Sequence, residues 1–369
     1  MKKTNFITGF PTFTAKRVAS LLCSKGEKVY LLVQKKFESK AREFVSEQNP
    51  VGKGHIEVLV GDILHLDLGL SGREIKRLAS EVTHFFHLAA IYYLGATPTL
   101  TRQVNVDGTA NCLNLAVEFK KLERFVFFST AFVAGDRQGV ILEDELYVGQ
   151  RFRNAYEETK CQAEEIVRSR MKEMPISVMR PSVIVGDSRT GEIDRLDGPY
   201  YLIKAFLQMP ARIPLPLIEG GHYPLNMVPV DFVVAAADAI SRDSRAIGLT
   251  FHLTDPNPLP ARKVFELIAD LGGRPRPKGS IPSKLLLRFS RLPAIEKVLR
   301  PQAHIIEYIS SLTIYNCMNT LTLLAGTGIY CPPFPSYAEA LVNFVLTHKQ
   351  KKEDVIALEK EAEEEEPFY

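Results

Sequence analysis

The sequence is poor in cysteine and has no closely spaced cysteine pair. Its five cysteines, Cys23, Cys112, Cys161, Cys317 and Cys331, are scattered over 369 residues. This pattern argues against a disulfide scaffold and a zinc site, and it is typical of a reducing cytoplasm. No apolar run reaches the ~18 residues that a transmembrane helix requires. The first ten residues lack the apolar core of a signal peptide, so we expect a cytoplasmic protein with no membrane span and no metal.

Neither sign of charge dominates, because the sequence has 46 Lys and Arg and 43 Asp and Glu, which gives a net charge of +3. The acids collect at the end: residues 351–369 hold eight acids and three lysines, and the rest of the chain carries +8. Such a body favours anionic ligands, but the excess is too diffuse to indicate nucleic-acid binding. Residues 349–369 are predicted to form a solvated, frayed acidic tail.

Residues 274–300 form a basic stretch with apolar residues at helical spacing. It contains eight Lys and Arg and one acid, Glu296, with Leu285, Phe289 and Leu292 among the interleaved apolar residues. The pattern fits docking of a phosphopantetheine carrier, of CoA phosphates or of an anionic membrane surface. The more ordinary interpretation is an amphipathic helix that packs on the core and keeps a solvated basic face.

Strand-like and helix-like segments alternate through the first 180 residues. Apolar runs predict buried strands at residues 4–8, 28–33, 55–60, 83–88, 125–129 and 176–179. Helical spacing predicts helices at residues 16–24, 37–47, 71–80, 100–120 and 156–174. This order predicts an α/β fold with a doubly wound, Rossmann-type parallel sheet. Such a sheet binds ligands beyond the carboxyl ends of its strands.

The rhythm changes after residue 180, where proline and glycine become dense. Further helices are predicted at residues 231–240, 261–271, 282–299, 304–311 and 337–348, with a strand at 250–253. We predict a dinucleotide-binding domain over residues 1–190, which regains sheet elements around residues 226–253. Residues 191–225 and 254–348 are predicted to form a smaller, mainly helical substrate region.

The first predicted strand is followed by a glycine turn typical of dinucleotide folds. Such a fold needs a tight turn and helix-start amides that face a pyrophosphate. The GxxGxxG spacing of one large branch is represented here by Gly9, Thr12 and Ala15, with Pro11 and Phe13 in the same turn. Thr12 places a side chain where backbone would approach a phosphate, so its hydroxyl either donates to that phosphate or weakens binding.

The residues after the second strand bear on the choice between NADPH and NADH. A NAD-selective site usually has Asp or Glu here to hold the ribose hydroxyls, whereas this chain has Gln34, Lys35 and Lys36. Two lysines can neutralise the extra phosphate of NADP, so we expect NADPH with NADH as the alternative; two solvated lysines at a helix start would look the same. Other predicted cofactor contacts at strand ends are Asp62, Ile63, Ala89, Ala90, Pro181 and Ser182.

A tyrosine and a lysine four residues apart form the predicted proton-transfer site. Tyr156 and Lys160 share one face of a helix, and a lysine ammonium there is expected to lower the phenol pKa and to hold the nicotinamide ribose. Ser129 or Thr130, at the end of the fifth strand, can donate to a carbonyl oxygen. Asn105, inside the helix at residues 100–120, can bend that helix and bind a water that relays protons to the lysine.

Together with the short sequence motifs around them, these residues resemble those of the extended short-chain dehydrogenase/reductase superfamily. The resemblance covers roughly residues 5–253 and rests on TGFPTFTA, GDI, HLAA, NVDGT, STAFVAGD, NAYEETK and RPSVIVGDSRTGEI. The last three, with NMVPVDFV and LLAGTGIYCPPF, are most similar to the fatty acyl-CoA reductase and thioester reductase branch. The resemblance implies NADPH and catalysis by a Ser or Thr, a Tyr and a Lys, roles that fall on Ser129 or Thr130, Tyr156 and Lys160. The chain departs from the family at Thr12, where glycine is usual.

The expected reaction is reduction of an acyl thioester, carried by CoA or a carrier protein, to an aldehyde or alcohol, with Tyr156 as proton donor. The alternatives are a dehydrogenase or epimerase of a hydroxy or sugar-nucleotide substrate, and a non-catalytic dinucleotide-binding regulator. Homodimerisation through the helices at residues 100–120 and 156–174 is implied by the resemblance and by nothing else in the sequence.

Overall fold

The computed structural model describes residues 3–92, 97–194, 199–208, 216–282 and 311–347. The predicted helices at residues 282–299 and 304–311 fall almost wholly outside the described residues. So do most of the basic stretch and the whole acidic tail.

A parallel sheet forms the centre of the molecule. The strands are β1 (Thr4–Thr8), β2 (Lys28–Val33), β3 (His55–Val60), β4 (His84–His87), β5 (Arg124–Phe128), β6 (Gly139–Ile141), β7 (Ile176–Pro181), β8 (Val183–Val185), β9 (Leu217–Ile218), β10 (Met227–Pro229), β11 (Thr250–Leu253), β12 (Ser280–Ile281) and β13 (Thr313–Tyr315). Seven of them form one sheet in the order β3-β2-β1-β4-β5-β7-β11, and every pair is parallel. The prediction of a doubly wound α/β fold is confirmed.

Helices cover both faces of this sheet. They are α1 (Phe13–Ser24), α2 (Glu38–Val51), α3 (Gly72–Glu81), α4 (Pro98–Arg102), α5 (Gly108–Val117), α6 (Ala155–Ser169), α7 (Pro199–Gln208), α8 (Val230–Arg242), α9 (Ala261–Leu271), α10 (Met318–Leu324) and α11 (Ala338–Thr347). One apolar core lies between the sheet and α1, α2 and α8, and the opposite core is closed by α3, α5 and α6. Because successive strand residues point to opposite faces, Ile7 and Leu31 enter the first core and Phe6 and Tyr30 the second.

A third apolar core lies outside the central sheet. It is built from α7, α9 and α11 around Tyr200, Phe265 and Leu341, with Val185 and Met227 of the small parallel pair β8–β10. Two further two-stranded pairs are formed by β9 with β12 and by β6 with β13. The short strands β6, β8, β9, β10, β12 and β13 were not predicted, because two or three residues carry no periodicity.

The predicted helix at residues 100–120 is divided in the structure. A π-helical segment, Gln103–Asp107, separates α4 from α5. At its centre Asn105 is fully buried, and its side chain hydrogen-bonds both the amide and the carbonyl of Ile91. The α-helical pattern of the predicted helix is therefore interrupted around Asn105. The helix predicted over residues 156–174 also ends early, at Ser169.

Candidate functional site

Gly9 lies in the turn between β1 and α1, against the residues that follow β4. Gly9 has φ +101°, and a Cβ there would lie 2.8 Å from the carbonyl carbon of Leu88 and 2.9 Å from the amide of Ala89. A side chain cannot fit at this contact, so glycine is required. Ala89 and Ala90 follow β4 at this point, which is the switch point of the sheet, where such sheets bind ligands.

Thr12 caps the helix that follows. Its φ of −60° is ordinary, and its hydroxyl accepts a hydrogen bond from the amide of Ala15 at 3.4 Å. A glycine is therefore not required at this position by the backbone. The amides of Phe13 and Thr14 precede the first i→i−4 bond of α1, so this end of the helix can donate to an anion such as a pyrophosphate. Pro11, before the cap, follows a cis peptide bond.

Gln34 and Asp62 join the ends of β2 and β3. The Gln34 amide donates to the Asp62 carboxylate at 2.8 Å, and the same carboxylate accepts from the amide of Leu64 at 2.9 Å. Ile63 is buried beneath this point and contacts Gly108 so closely that a Cβ there would lie 2.7 Å from it. The predicted adenosine-side residues thus lie side by side at one edge of the sheet.

A group of basic side chains follows β2. Lys35 and Lys36 are exposed; Lys35 forms an ion pair with Glu38 at 2.5 Å, and the Lys36 ammonium lies 5.1 Å from the ring centroid of Phe37. Arg42 binds the same Glu38 carboxylate at 2.6 Å from the next turn of α2. Arg42 was not among the predicted residues, although its i+4 spacing from Glu38 predicts this ion pair.

Pro181 and Ser182 lie at the end of β7, and both are buried. The Ser182 hydroxyl donates to the Asn226 side chain at 2.7 Å, and its amide donates to the Leu253 carbonyl at 3.2 Å. These bonds tie the end of β7 to β11 and to the segment before β10. The predicted nicotinamide-flanking backbone is therefore held in place on two sides.

Tyr156 and Thr130 come together at the carboxyl end of β5. Tyr156 lies in the first turn of α6, is half-buried, and forms a side-chain hydrogen bond with Thr130. Burial raises the pKa of Tyr156 to about 12, and the bond with Thr130 offsets only part of this rise. This differs from the expectation that Lys160 would lower the phenol pKa. In a water-poor site the cost of forming phenolate exceeds the favourable effect of nearby dipoles.

Lys160 lies one turn further along α6 and is almost fully buried. Its ammonium donates to the carbonyl of Phe128 at 2.6 Å and sits 4.3 Å from the ring centroid of Phe127. Burial lowers the pKa of Lys160 to about 7, with Glu164 opposing this change. The ammonium is therefore directed at the end of β5 rather than at the phenol.

Replacing Lys160 with methionine should change how stability depends on pH. The pKa of Lys160 is lowered from 10.5 to about 7 in the fold, so between these values the unfolded chain binds more protons. Stability of the parent protein consequently rises with pH across this window, by up to roughly 1.4 kcal/mol per unit of pKa difference. Urea unfolding at pH 7, 8 and 9 should show that the free energy of unfolding rises with pH more steeply for the parent protein than for the variant. Equal dependence on pH in both proteins would contradict the lowered pKa.

The other predicted hydroxyl, Ser129, has a different partner. It donates to the buried carboxylate of Glu164 at 2.6 Å, which also binds Arg180 at 2.7 Å. Of the two candidate catalytic hydroxyls, Thr130 is thus the one that faces Tyr156. Neither Glu164 nor Arg180 was among the predicted site residues. A charged residue in the otherwise apolar strand β7 was a signal for Arg180, whereas Glu164 lies in a helix rich in charged residues and had no such signal.

The side chain of Asn105 is also engaged, since besides Ile91 it donates to the hydroxyl of Thr159 at 3.0 Å. Thr159 precedes Lys160, so Asn105 holds the π-helical segment against α6. The structure therefore connects Asn105 to α6 directly through protein groups, while the water relay to the lysine stays a prediction.

Within the part of the chain that the structure describes, no three metal-ligating side chains cluster, and no helix is long and apolar enough to cross a bilayer. The residues present fit a dinucleotide: a glycine contact that a Cβ would fill, helix-start amides, and basic side chains beyond β2. Fold and site together define an NAD(P)-dependent oxidoreductase of the extended short-chain dehydrogenase/reductase type. The chain belongs to the NAD-binding family described as male sterility protein, whose profile matches residues 7–237.

Two curated relatives illustrate the range of that family. A subunit of the linear gramicidin synthase of Brevibacillus parabrevis is 28% identical over 210 residues, which is 54% of this chain and 4% of that protein. Fatty acyl-CoA reductase wat of Drosophila melanogaster is 24% identical over 249 residues, 59% of this chain and 47% of that protein. The matched part is less than half the length of either relative.

Solved structures share the fold over most of the chain. The terminal R domain from the myxalamid PKS-NRPS pathway superposes with a TM-score of 0.78 at 24% identity, covering 94% of this chain and 91% of that one. Gre2 of Candida albicans, in complex with NADPH, gives a TM-score of 0.69 at 18% identity, covering 94% and 100%. At these identities the similarity establishes the fold.

Proposed function

We propose that this protein uses NADPH to reduce an acyl thioester, borne by CoA or by a carrier protein, to an aldehyde or alcohol. The observation that carries the proposal is the meeting of Thr130 and Tyr156 at the carboxyl end of β5, with Lys160 one turn away. Two hydroxyl donors and a cation at the ligand-binding edge of the sheet can stabilise an oxygen that gains negative charge.

The side chains have separate tasks in this reaction. NADPH, when bound, would supply the hydride for the carbonyl carbon. The hemithioacetal that forms on the substrate then loses its C–S bond, which releases the thiol and leaves the aldehyde; the alcohol requires a second hydride. Tyr156 donates a proton to the carbonyl oxygen, and its raised pKa keeps the phenol protonated at neutral pH until that oxygen becomes basic. Thr130 donates a second hydrogen bond to the same oxygen. Lys160, whose pKa is lowered to about 7, places positive charge near the end of β5 in its protonated form, and this charge also favours the developing oxyanion.

The relatives support the substrate class. Proteins matched by this chain include a fatty acyl-CoA reductase of Xenopus laevis, and a solved neighbour is a thiolation-reductase di-domain from an archaeal non-ribosomal peptide synthetase. The first name refers to a CoA-linked system and the second to a carrier-linked one. We propose the chemistry common to both, a thioester carbonyl, as the substrate of this chain.

A consumption assay with NADPH and NADH across a panel of acyl thioesters tests this function directly. We expect oxidation of NADPH that depends on thioester, together with release of free thiol in proportion. Oxidation of alcohols with no thioester reduction would instead identify a dehydrogenase. Failure to bind either NADPH or NADH at millimolar concentration, measured by nucleotide fluorescence, would identify a non-catalytic protein.

Thr130→Val should separate the two hydroxyls at the end of β5. Valine matches the shape of threonine but removes the donor, so we expect kcat to fall about 100-fold or more, as for loss of one oxyanion donor. NADPH binding should stay near the parent value. Steady-state kinetics with a fixed thioester provide the measurement, and full turnover would exclude Thr130 from catalysis.

Lys36→Glu should weaken NADPH selectively. An exposed lysine that binds the extra phosphate contributes a charge-assisted contact, and its loss should raise the KM for NADPH about 10-fold, or about 1.4 kcal/mol. The KM for NADH should change little. Lys40→Glu, the same charge change at an exposed position of α2, is the control; equal effects from both variants would indicate only a general charge effect.

A further inference from the structure

Glu164 is a buried carboxylate in α6 that the proposed reaction does not use. Its side chain has no exposed surface. It lies four residues after Lys160 and eight after Tyr156, on the same face of the helix. The carboxylate accepts hydrogen bonds from Ser129, just beyond β5, and from Arg180 in β7. Glu164 therefore joins α6 to two strands at the edge where the substrate would bind.

The end of β5 is held by α6 at three consecutive residues. The ladder with β7 ends near Phe128, where the amide of Ser129 still donates to the Met179 carbonyl at 2.7 Å, and beyond this point the chain leaves the sheet. Side-chain bonds then replace the ladder. The three pairs are Phe128 with Lys160, Ser129 with Glu164, and Thr130 with Tyr156.

The Ser129 bond is not needed to balance the charge of Glu164. Arg180 binds that carboxylate through both its Nε and Nη2 atoms, and Arg168 adds a third contact at 2.9 Å. The carboxylate is thus compensated without the serine. What the serine bond adds is a fixed distance between α6 and the residue that immediately precedes Thr130.

We propose that Ser129 and Glu164 form a positioning pair that holds the Thr130 hydroxyl against Tyr156. The pair rests on the proposed function, because it matters only if both hydroxyls bind the reacting oxygen. It does not touch the substrate itself. A displacement of about 1 Å at a reacting group can cost on the order of 100-fold in rate, so a lost hydrogen bond that loosens Thr130 should appear in kcat.

A double-mutant cycle on kcat tests the pair. Ser129→Ala should lower kcat about 10-fold, while the KM values for NADPH and thioester stay within about twofold. Glu164→Gln should lower kcat at least as much, with active protein counted by NADPH titration. If the two residues act through one bond, the double variant should be no slower than the slower single variant.

Glu143→Gln is the matched control, because the Glu143 side chain is also a buried carboxylate and accepts from the amides of His252 and Asn319, neither of which lies in α6. The substitution leaves the Glu143 carbonyl, which accepts from Arg168 of α6, unchanged. It should lose stability but keep kcat per active molecule. Parent-like kcat in Ser129→Ala, or additive losses in the cycle, would overturn the pair. If Glu164→Gln does not fold, kcat of Ser129→Ala alone decides. Full turnover in Thr130→Val would overturn the catalytic hydroxyl, and the pair with it.

Discussion

Tyr156→Phe should lower kcat by about 100-fold or more while leaving NADPH binding near the parent value. The substitution removes only the hydroxyl, which is the group that bonds Thr130 and would donate the proton. Loss of a positioned general acid typically costs roughly 100- to 10,000-fold. Single-turnover oxidation of NADPH by a bound thioester gives the chemical step without interference from product release.

Tyr147→Phe is the control for this experiment. Tyr147 is 59% exposed and stacks on Phe152 at 6.3 Å between ring centroids, and it takes no part in the three contacts between α6 and the end of β5. Turnover of the control should match that of the parent protein. Near-normal activity in Tyr156→Phe would show that the proton comes from another group, and the proposed mechanism would then fail at its central step.

Arg180→Met should lower the free energy of unfolding by about 3–5 kcal/mol, the usual cost of removing one partner of a buried ion pair. Arg180 has no exposed side-chain surface, and besides Glu164 it donates to the carbonyl of Glu145 at 2.8 Å. Methionine leaves the Glu164 carboxylate with less compensation inside the core. Urea unfolding monitored by circular dichroism measures the loss.

Two further variants provide reference values for the loss of unfolding free energy in Arg180→Met. Arg170→Met removes an ion pair with Glu173 that is exposed on both sides, and it should cost less than about 1 kcal/mol. The double variant Glu164→Leu with Arg180→Met removes both buried charges and should recover part of the single-variant loss. A single-variant loss no larger than that of Arg170→Met would mean that the buried pair is not important for stability.

The strands and helices of the predicted dinucleotide-binding domain were largely predictable from the sequence. Strands β1, β2 and β3 begin and end where the apolar runs predicted. For β1 and β2 the reason is that strands buried on both faces have few polar residues. Helix α9, in the predicted substrate region, was also predicted with the observed bounds. The division of the predicted helix at residues 100–120 into α4, a π-helical segment and α5 was not predicted. The π-helical segment is held by contacts between Asn105 and Ile91, which is 14 residues away.

The candidate catalytic residues were predictable as residue types, but their pKa values and hydrogen-bond partners were not. Spacing placed Tyr156 and Lys160 on one helix face, and order along the chain placed two hydroxyls at the end of a strand. Spacing could not show that Ser129 binds Glu164, or that burial raises the pKa of Tyr156 and lowers that of Lys160. These properties depend on which groups from distant segments surround each side chain.

The amino-acid order alone determined the alternation of strands and helices, the glycine at the β1 turn and the Tyr156–Lys160 spacing, because each follows from local periodicity or from backbone sterics. Only the tertiary structure decided which hydroxyl faces Tyr156 and where the Lys160 ammonium points. Hydrogen bonds and desolvation act over a few ångströms in space, whereas the paired residues at the end of β5 are about 25 to 35 residues apart along the chain.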